Sequence, residues 1–190
     1  RITFSGKDKF LKTHNFDELD CVQINGVLVK MGVNLKRLFS WVQFEINLFI
    51  YFLLLPKSQR PDVVIASSFS LFTFITVGIL KYIYKFKMVV EIRDLIPQNV
   101  LEFNRISEKS LTYKVFKFVE MFGLKHADKF VGTMPKLYDY LVEQNISNPD
   151  TICIPQGFDR EKYKLKSKGE ENYDSFVVMY SGTIGEVNLV

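Results

Sequence analysis

Cysteine and histidine are scarce in this chain: of 190 residues, two are Cys (Cys21, Cys153) and two are His (His14, His126). So few thiols exclude a disulfide scaffold. Each Cys lies in an apolar run with no secretion signal ahead of it, so both are expected as reduced, buried thiols. Two isolated His without clustered partners do not build a metal site. Charge of one sign is also missing. Twenty-five basic residues face 21 acidic ones, a net +4 that is too mild for a nucleic-acid binder, and no basic stripe interleaves with aromatics. No apolar run reaches the roughly 20 residues of a membrane span. Ile46–Leu55 is interrupted by Asn47, and Phe69–Leu80 is diluted by Ser70, Thr73, Thr76 and Gly78 and ended by Lys81. Both are expected as buried helices, with an interfacial helix as the alternative.

Several motifs are missing too. There is no Gly-x-x-x-x-Gly-Lys-Ser/Thr loop, no Gly-x-Gly-x-x-Gly after a strand, and no Gly-x-Ser-x-Gly elbow. These absences disfavour P-loop enzymes, dinucleotide dehydrogenases and hydrolases of the elbow type. No Asp-x-Asp supplies a carboxylate pair for a metal-bound nucleotide.

What is present is apolar bulk: 47% hydrophobic residues, 18 Phe and 9 Tyr. That suits a Phe-rich core or a surface that meets lipid or a partner. The stretch to Asp20 is polar and hard to place. Cys21–Ile24, Asn25-Gly26 and Val27–Lys30 read as a hairpin, because Asn-Gly accepts positive φ. Residues 38–55 read as a helix, stopped by the Pro56–Pro61 cluster. Strands are then expected at 62–66, 87–92, 129–131 and 151–154. Helices are expected at about 70–84, at 107–126 capped by Ser107, and from a Thr133 cap to Gln144 with Pro135 in the first turn. Strands alternating with helices imply parallel βαβ units with right-handed crossovers. Continuous apolar strands suit a sheet covered on both faces. The expected fold is therefore α/β, a Rossmann-like parallel sheet flanked by helices. It occupies 1–160, followed by a polar linker at 161–175 and the first strand of a second Rossmann-like domain at 176–190. Both ends read as cut, as in a fragment.

Open parallel sheets bind ligands beyond the carboxyl ends of their strands. The residues there are Ser67-Ser68, Arg93-Asp94, Gly132-Thr133, Gln156-Gly157 and Ser181-Gly182-Thr183, all small or polar. Arg93-Asp94 is the sharpest pair. Either it is a structural ion pair or helix cap, or Asp94 accepts sugar hydroxyls while Arg93 meets an anion. Glu91 either faces this cleft or pairs with a Lys. Gly182 and Gly185 would let backbone N–H groups approach a diphosphate, with Thr183 between them.

Taken together, these residues resemble family 4 glycosyltransferases from about Arg60 to Val190. The marks are Arg60–Ser68, Glu91–Pro97 with its Glu-x-Arg-Asp-x-x-Pro pattern, Lys125–Val131, Ile154–Asp159 and Tyr180–Gly185. The resemblance implies two Rossmann-like domains around one active site, the first facing the acceptor and the second holding the nucleotide-sugar. It implies a retaining, metal-independent transfer in assembly of bacterial capsule, O-antigen or other surface polysaccharide. On it, Asp94 and Arg93 are the catalytic candidates, and Ser67, Ser68, Gln98 and Thr133 line the acceptor cleft. Gln156, Gly157 and Asp159 form the interdomain turn, and Gly182, Thr183 and Gly185 hold the donor diphosphate. No cofactor is implied, since the nucleotide-sugar is a substrate. The implied partners are that donor and a glycan or lipid-linked acceptor, without nucleic acid. The expected location is cytoplasmic, with peripheral contact at the inner membrane leaflet left open. The basic and aromatic residues Lys81–Lys87, with Lys114, Lys117 and Lys125, would serve such contact or form a solvated face.

The sequence departs from the family at Gln156, where an Asn is usual, and at Ser67-Ser68, where a His is common. The family's first strand and the donor-binding carboxylates are absent, so the chain alone is expected to be inactive. Two alternatives stay open. One is a non-catalytic, transferase-like subunit that scaffolds a polysaccharide complex. The other, a sugar-nucleotide epimerase, is disfavoured by the missing dinucleotide fingerprint.

Overall fold

The computed structural model describes residues 11–16, 19–24, 35–68, 70–104, 107–157, 176 and 178–179. In chain order the elements are β1 (Leu11–Phe16), β2 (Leu19–Ile24), α1 (Leu35–Leu54), β3 (Val63–Ser67), α2 (Thr73–Tyr84), β4 (Lys87–Ile92), α3 (Ile96–Asn104), α4 (Leu111–His126), β5 (Lys129–Gly132), α5 (Leu137–Glu143) and β6 (Thr151–Cys153). The fold is α/β. β3, β4, β5 and β6 form one parallel sheet in that spatial order, and β1 and β2 form a separate antiparallel pair.

The four strand positions agree with the apolar runs. Several other expectations need correction. Cys21–Ile24 pairs backwards with β1, Leu11 opposite Ile24 and Phe16 opposite Leu19, so the polar N-terminal stretch holds a strand. The Asn25-Gly26 turn lies outside the described residues. α4 is capped by Ser110, whose Oγ accepts the Tyr113 N–H at 3.2 Å, and not by Ser107, which sits in the turn before it. α5 begins after Lys136, so Thr133 does not cap it and Pro135 precedes it. α3 was not expected. Pro97 lies in its first turn, where a missing N–H costs nothing. Both cysteines are exposed rather than buried, because Cys21 lies on a two-stranded pair and Cys153 on a three-residue edge strand. Of the strand expected at 176–180, only Phe176, Val178 and Met179 are described; all three are exposed and in no strand.

The sheet is covered on one face only among the described residues, against the expectation of two. Its strands follow chain order without a reversal. Right-handed crossovers then place every connecting helix on the same side. Side chains alternate along a strand, and the burial follows. Ala66, Met88, Val90, Ile92 and Phe130 join Phe74, Val77 and Leu80 of α2, Val119 and Leu124 of α4, and Leu137 and Leu141 of α5 in one core. On the opposite face Val63, Ile65 and Ile152 are 53%, 67% and 50% exposed.

Glycines set how closely the helices approach. A Cβ on Gly123 would meet the Phe74 ring at 2.5 Å, and one on Gly78 would meet the Phe122 ring at 2.6 Å, so α2 and α4 interlock ring over glycine in both directions. α1 runs alongside α2. Its Glu45 carboxylate accepts the hydroxyls of Ser70 (3.1 Å), Thr73 (2.8 Å) and Thr76 (2.6 Å). That puts negative charge at the positive end of α2, which has no side-chain cap of its own.

The buried polar residues Ser68, Thr76 and Glu120 each have hydrogen-bond partners. Glu120, 4% exposed, accepts from Tyr140 Oη at 2.7 Å and Lys117 Nζ at 2.7 Å, and Lys117 also reaches Gln144 Oε1 at 2.6 Å. Burial, with the adjacent Glu120 carboxylate, pushes the Tyr140 phenol far above its ordinary range. The group ties α4 to α5 and stands away from the strand tips.

Asp128 plays the same part at the other end of the sheet. Its Oδ2 accepts the Met88 N–H at 2.7 Å and pairs with Lys81 Nζ at 2.8 Å, and Lys87 lies 3.5 Å from Oδ1. Burial pushes the carboxyl up, but the Lys81 and Met88 hydrogen bonds and the two lysine charges outweigh it and hold Asp128 below the usual carboxylate range. A depressed folded value means stability that is complete above the unfolded value near 4 and lost as pH falls through the folded one. Asp128→Asn is therefore expected to cost roughly 1–2 kcal/mol at neutral pH, with the gap to the parent closing below about pH 4. Urea unfolding across pH checks this; a pH-independent gap would remove the charge from the account.

Candidate functional site at the strand tips

The parallel register brings the sequence-derived candidates to one edge. Ser67 pairs with Glu91, Ile92 with Gly132, and Gly132 with Cys153, so Ser67-Ser68, Arg93-Asp94, Thr133 and the Ile154 end of β6 follow one another along the carboxyl side. Three inter-strand steps of about 4.8 Å make this edge roughly 14 Å long. The row is extended by the Ile154 N–H donating to Gly132 O at 2.8 Å.

Ser68 is 2% exposed and does not present itself to a ligand. Its Oγ accepts the N–H groups of Arg93 (3.0 Å) and Asp94 (3.3 Å), and its own N–H donates to Glu91 O at 2.8 Å. It is a positioning residue that pins the turn after β4. The side chains carried by that turn, Arg93 and Asp94, are exposed, and neither makes an ion pair or side-chain hydrogen bond among the described residues. Among the described residues the two do not form an ion pair with each other.

Ser67 shares its sheet face with Glu91, since directly paired residues of neighbouring strands point the same way. Its Oγ is buried without a hydrogen-bond partner, the one such side-chain atom among the described residues. An unsatisfied buried hydroxyl costs about 1–3 kcal/mol. Glu91 is half-buried on the uncovered face beside it, and no lysine pairs with it among the described residues.

Gly132 is required by packing. A Cβ there would lie 2.7 Å from Leu137 Cδ2 and 2.9 Å from Ile92 O, so the turn carrying Thr133 is seated against the neighbouring strand. Thr133 is half-buried. Gln98 is exposed in the first turn of α3, beside the Arg93-Asp94 turn. Gln156 and Gly157 are exposed, and a Cβ on Gly157 would meet nothing within 4 Å, so no contact demands glycine there. Asp159, Gly182, Thr183 and Gly185 lie outside the described residues. No group of three or more His, Cys, Asp or Glu able to hold a metal occurs among the described residues, and no helix there is long and apolar enough to cross a membrane.

Sheet and edge together define an α/β protein with a parallel sheet and polar side chains at the carboxyl tips of its strands. Neither a family model nor a curated protein matches the chain.

Proposed function

We propose that the chain carries the acceptor-side part of a sugar transferase of the family 4 type, one that moves a sugar from a nucleotide-activated donor to a glycan or lipid-linked acceptor. The single observation that carries this reading is the exposed Arg93-Asp94 pair. It is held through its backbone by Ser68, while both side chains have no partner among the described residues. Fixed backbone and uncommitted charge are what a substrate-binding pair needs, because the binding geometry is set before substrate arrives. On this reading Asp94 accepts sugar hydroxyls, and Arg93 faces the anionic diphosphate as the bond from the anomeric carbon to the leaving oxygen breaks and the acceptor oxygen takes its place. Glu91, Gln98 and Thr133 supply further donors and acceptors along the edge. The reaction is proposed as retaining and metal-independent, with the nucleotide-sugar as substrate and no cofactor.

Titration calorimetry of the full-length gene product with a panel of nucleotide-sugars tests the reading. Saturable binding to one of them, and release of nucleoside diphosphate when a lipid-linked glycan is added, are expected. Silence across the panel together with stable capture of a partner enzyme would favour the scaffolding subunit instead.

A further inference from the structure

We infer that a small aromatic pocket beside the strand tips receives the acetamido group of an N-acetylated acceptor sugar. The inference rests on the transferase reading and names the class of its acceptor. The pocket lies where α1, α3 and α4 meet the turn that opens α2. Trp41, Ser70, Leu71, Phe72, Ile96 and Phe116 line it, and its volume is about 80 Å³. A whole small-molecule site takes about 300 Å³ or more. This one has room for a substituent and leaves the sugar ring outside. It adjoins the candidate edge along two stretches of chain. Ser70 stands two residues after Ser68, and Ile96 two residues after Asp94. Two residues span at most about 7 Å. Ser68 Oγ ties the two stretches together by accepting the Arg93 and Asp94 N–H groups.

The lining selects the group. None of the six residues is charged, so an ionised substituent would lose its hydration without compensation. Three rings form a continuous wall. Trp41 and Phe72 lie 6.0 Å apart between centroids, as do Phe72 and Phe116. Ring faces carry partial negative charge, which suits a methyl whose hydrogens are polarised by a neighbouring carbonyl. The polar atoms ask for an amide. Ser70 gives its hydroxyl proton to Glu45 Oε1 at 3.1 Å, so toward a ligand its Oγ can only accept. The N–H groups of Leu71 and Phe72 have no acceptor among the described residues. They can only donate. One acceptor, two donors and an apolar wall match the N–H, C=O and methyl of an acetamido group. A hydroxyl in its place would forfeit the wall, and an ester would bring Ser70 Oγ no donor.

Binding to the 190-residue chain, measured without nucleotide-sugar, tests the assignment. The probes are the methyl glycosides of N-acetylglucosamine and N-acetylgalactosamine. Each is compared with the same glycoside carrying a hydroxyl, or an O-acetyl ester, in place of the acetamido group. Trp41, the sole tryptophan, reports from the pocket wall. At least one acetamido sugar is expected to shift its emission saturably. The hydroxyl counterpart should bind at least about tenfold more weakly, and the ester about fivefold. Ser70→Ala should weaken the acetamide about fivefold and leave the ester unchanged, since the ester has no N–H to lose. The ligand series needs no substitution, so a folding defect in the variant does not enter it. Equal affinity for acetamido and hydroxyl sugars, or no response to any of them, would overturn the assignment. So would a Ser70→Ala loss shared equally by amide and ester. If nucleotide-sugars bind while the acetamido sugars stay silent, the pocket assignment alone fails. If acetamido sugars bind while the nucleotide-sugar panel stays silent, the transferase reading fails and the acetamido pocket stands.

Discussion

Asp94→Asn is expected, on the proposed transferase reading, to leave a folded protein whose sugar transfer falls roughly 10²-fold, the size of effect seen when one charge-assisted contact to a reacting group is removed. The side chain is exposed and without a partner among the described residues, so removing its charge takes nothing from the fold. Stability should stay within about 0.5 kcal/mol of the parent, as for surface changes generally. The two readouts separate the roles. Turnover measured as nucleoside diphosphate release in the full-length gene product should drop, while the urea midpoint should not move. Parent-level turnover in the variant would remove Asp94 from the chemistry. Ser68→Ala makes an informative contrast. Its Oγ holds the Arg93 and Asp94 N–H groups at 3.0 and 3.3 Å, so the variant loosens the same turn without touching its charges. It should lower activity and stability together.

The second large effect is expected at Gly132, where Ala costs about 2–3 kcal/mol in spite of the gain from a stiffer unfolded chain. The added methyl would sit 2.7 Å from Leu137 Cδ2 and 2.9 Å from Ile92 O. Leu137 is 2% exposed and packed in the core, so it has little room to turn aside. The Ile92 oxygen belongs to the neighbouring strand and moves only if the sheet opens. Chemical unfolding measures the cost; a variant as stable as the parent would show that β4 and β5 can part. Because Thr133 follows directly, the same change displaces one end of the candidate edge. Gly157→Ala is the control, since nothing lies within 4 Å of its added carbon.

The strand positions were legible in the sequence because a buried parallel strand is a short apolar run whatever surrounds it. Val63–Ser67, Lys87–Ile92, Lys129–Gly132 and Thr151–Cys153 each fall on such a run. Once the strands were placed, chain direction put Ser67, Arg93, Thr133 and Gln156 after their carboxyl ends. Helix starts were less legible. Ser107, Ser110 and Thr133 are equally good caps by residue type, and choosing among them depends on which backbone N–H each hydroxyl reaches in the folded chain.

Local residue order therefore determined the βα rhythm and the identity of the residues at the strand tips. Tertiary structure alone decided which of those tips are occupied. Ser68 is consumed by two backbone N–H groups, whereas Arg93 and Asp94 have no side-chain partner among the described residues, a distinction that needs three-dimensional neighbours. It also decided that, among the described residues, the sheet is covered on one face only, because strand order is set by pairing between distant segments and the handedness of their crossovers. Neither is written in any single stretch of the chain.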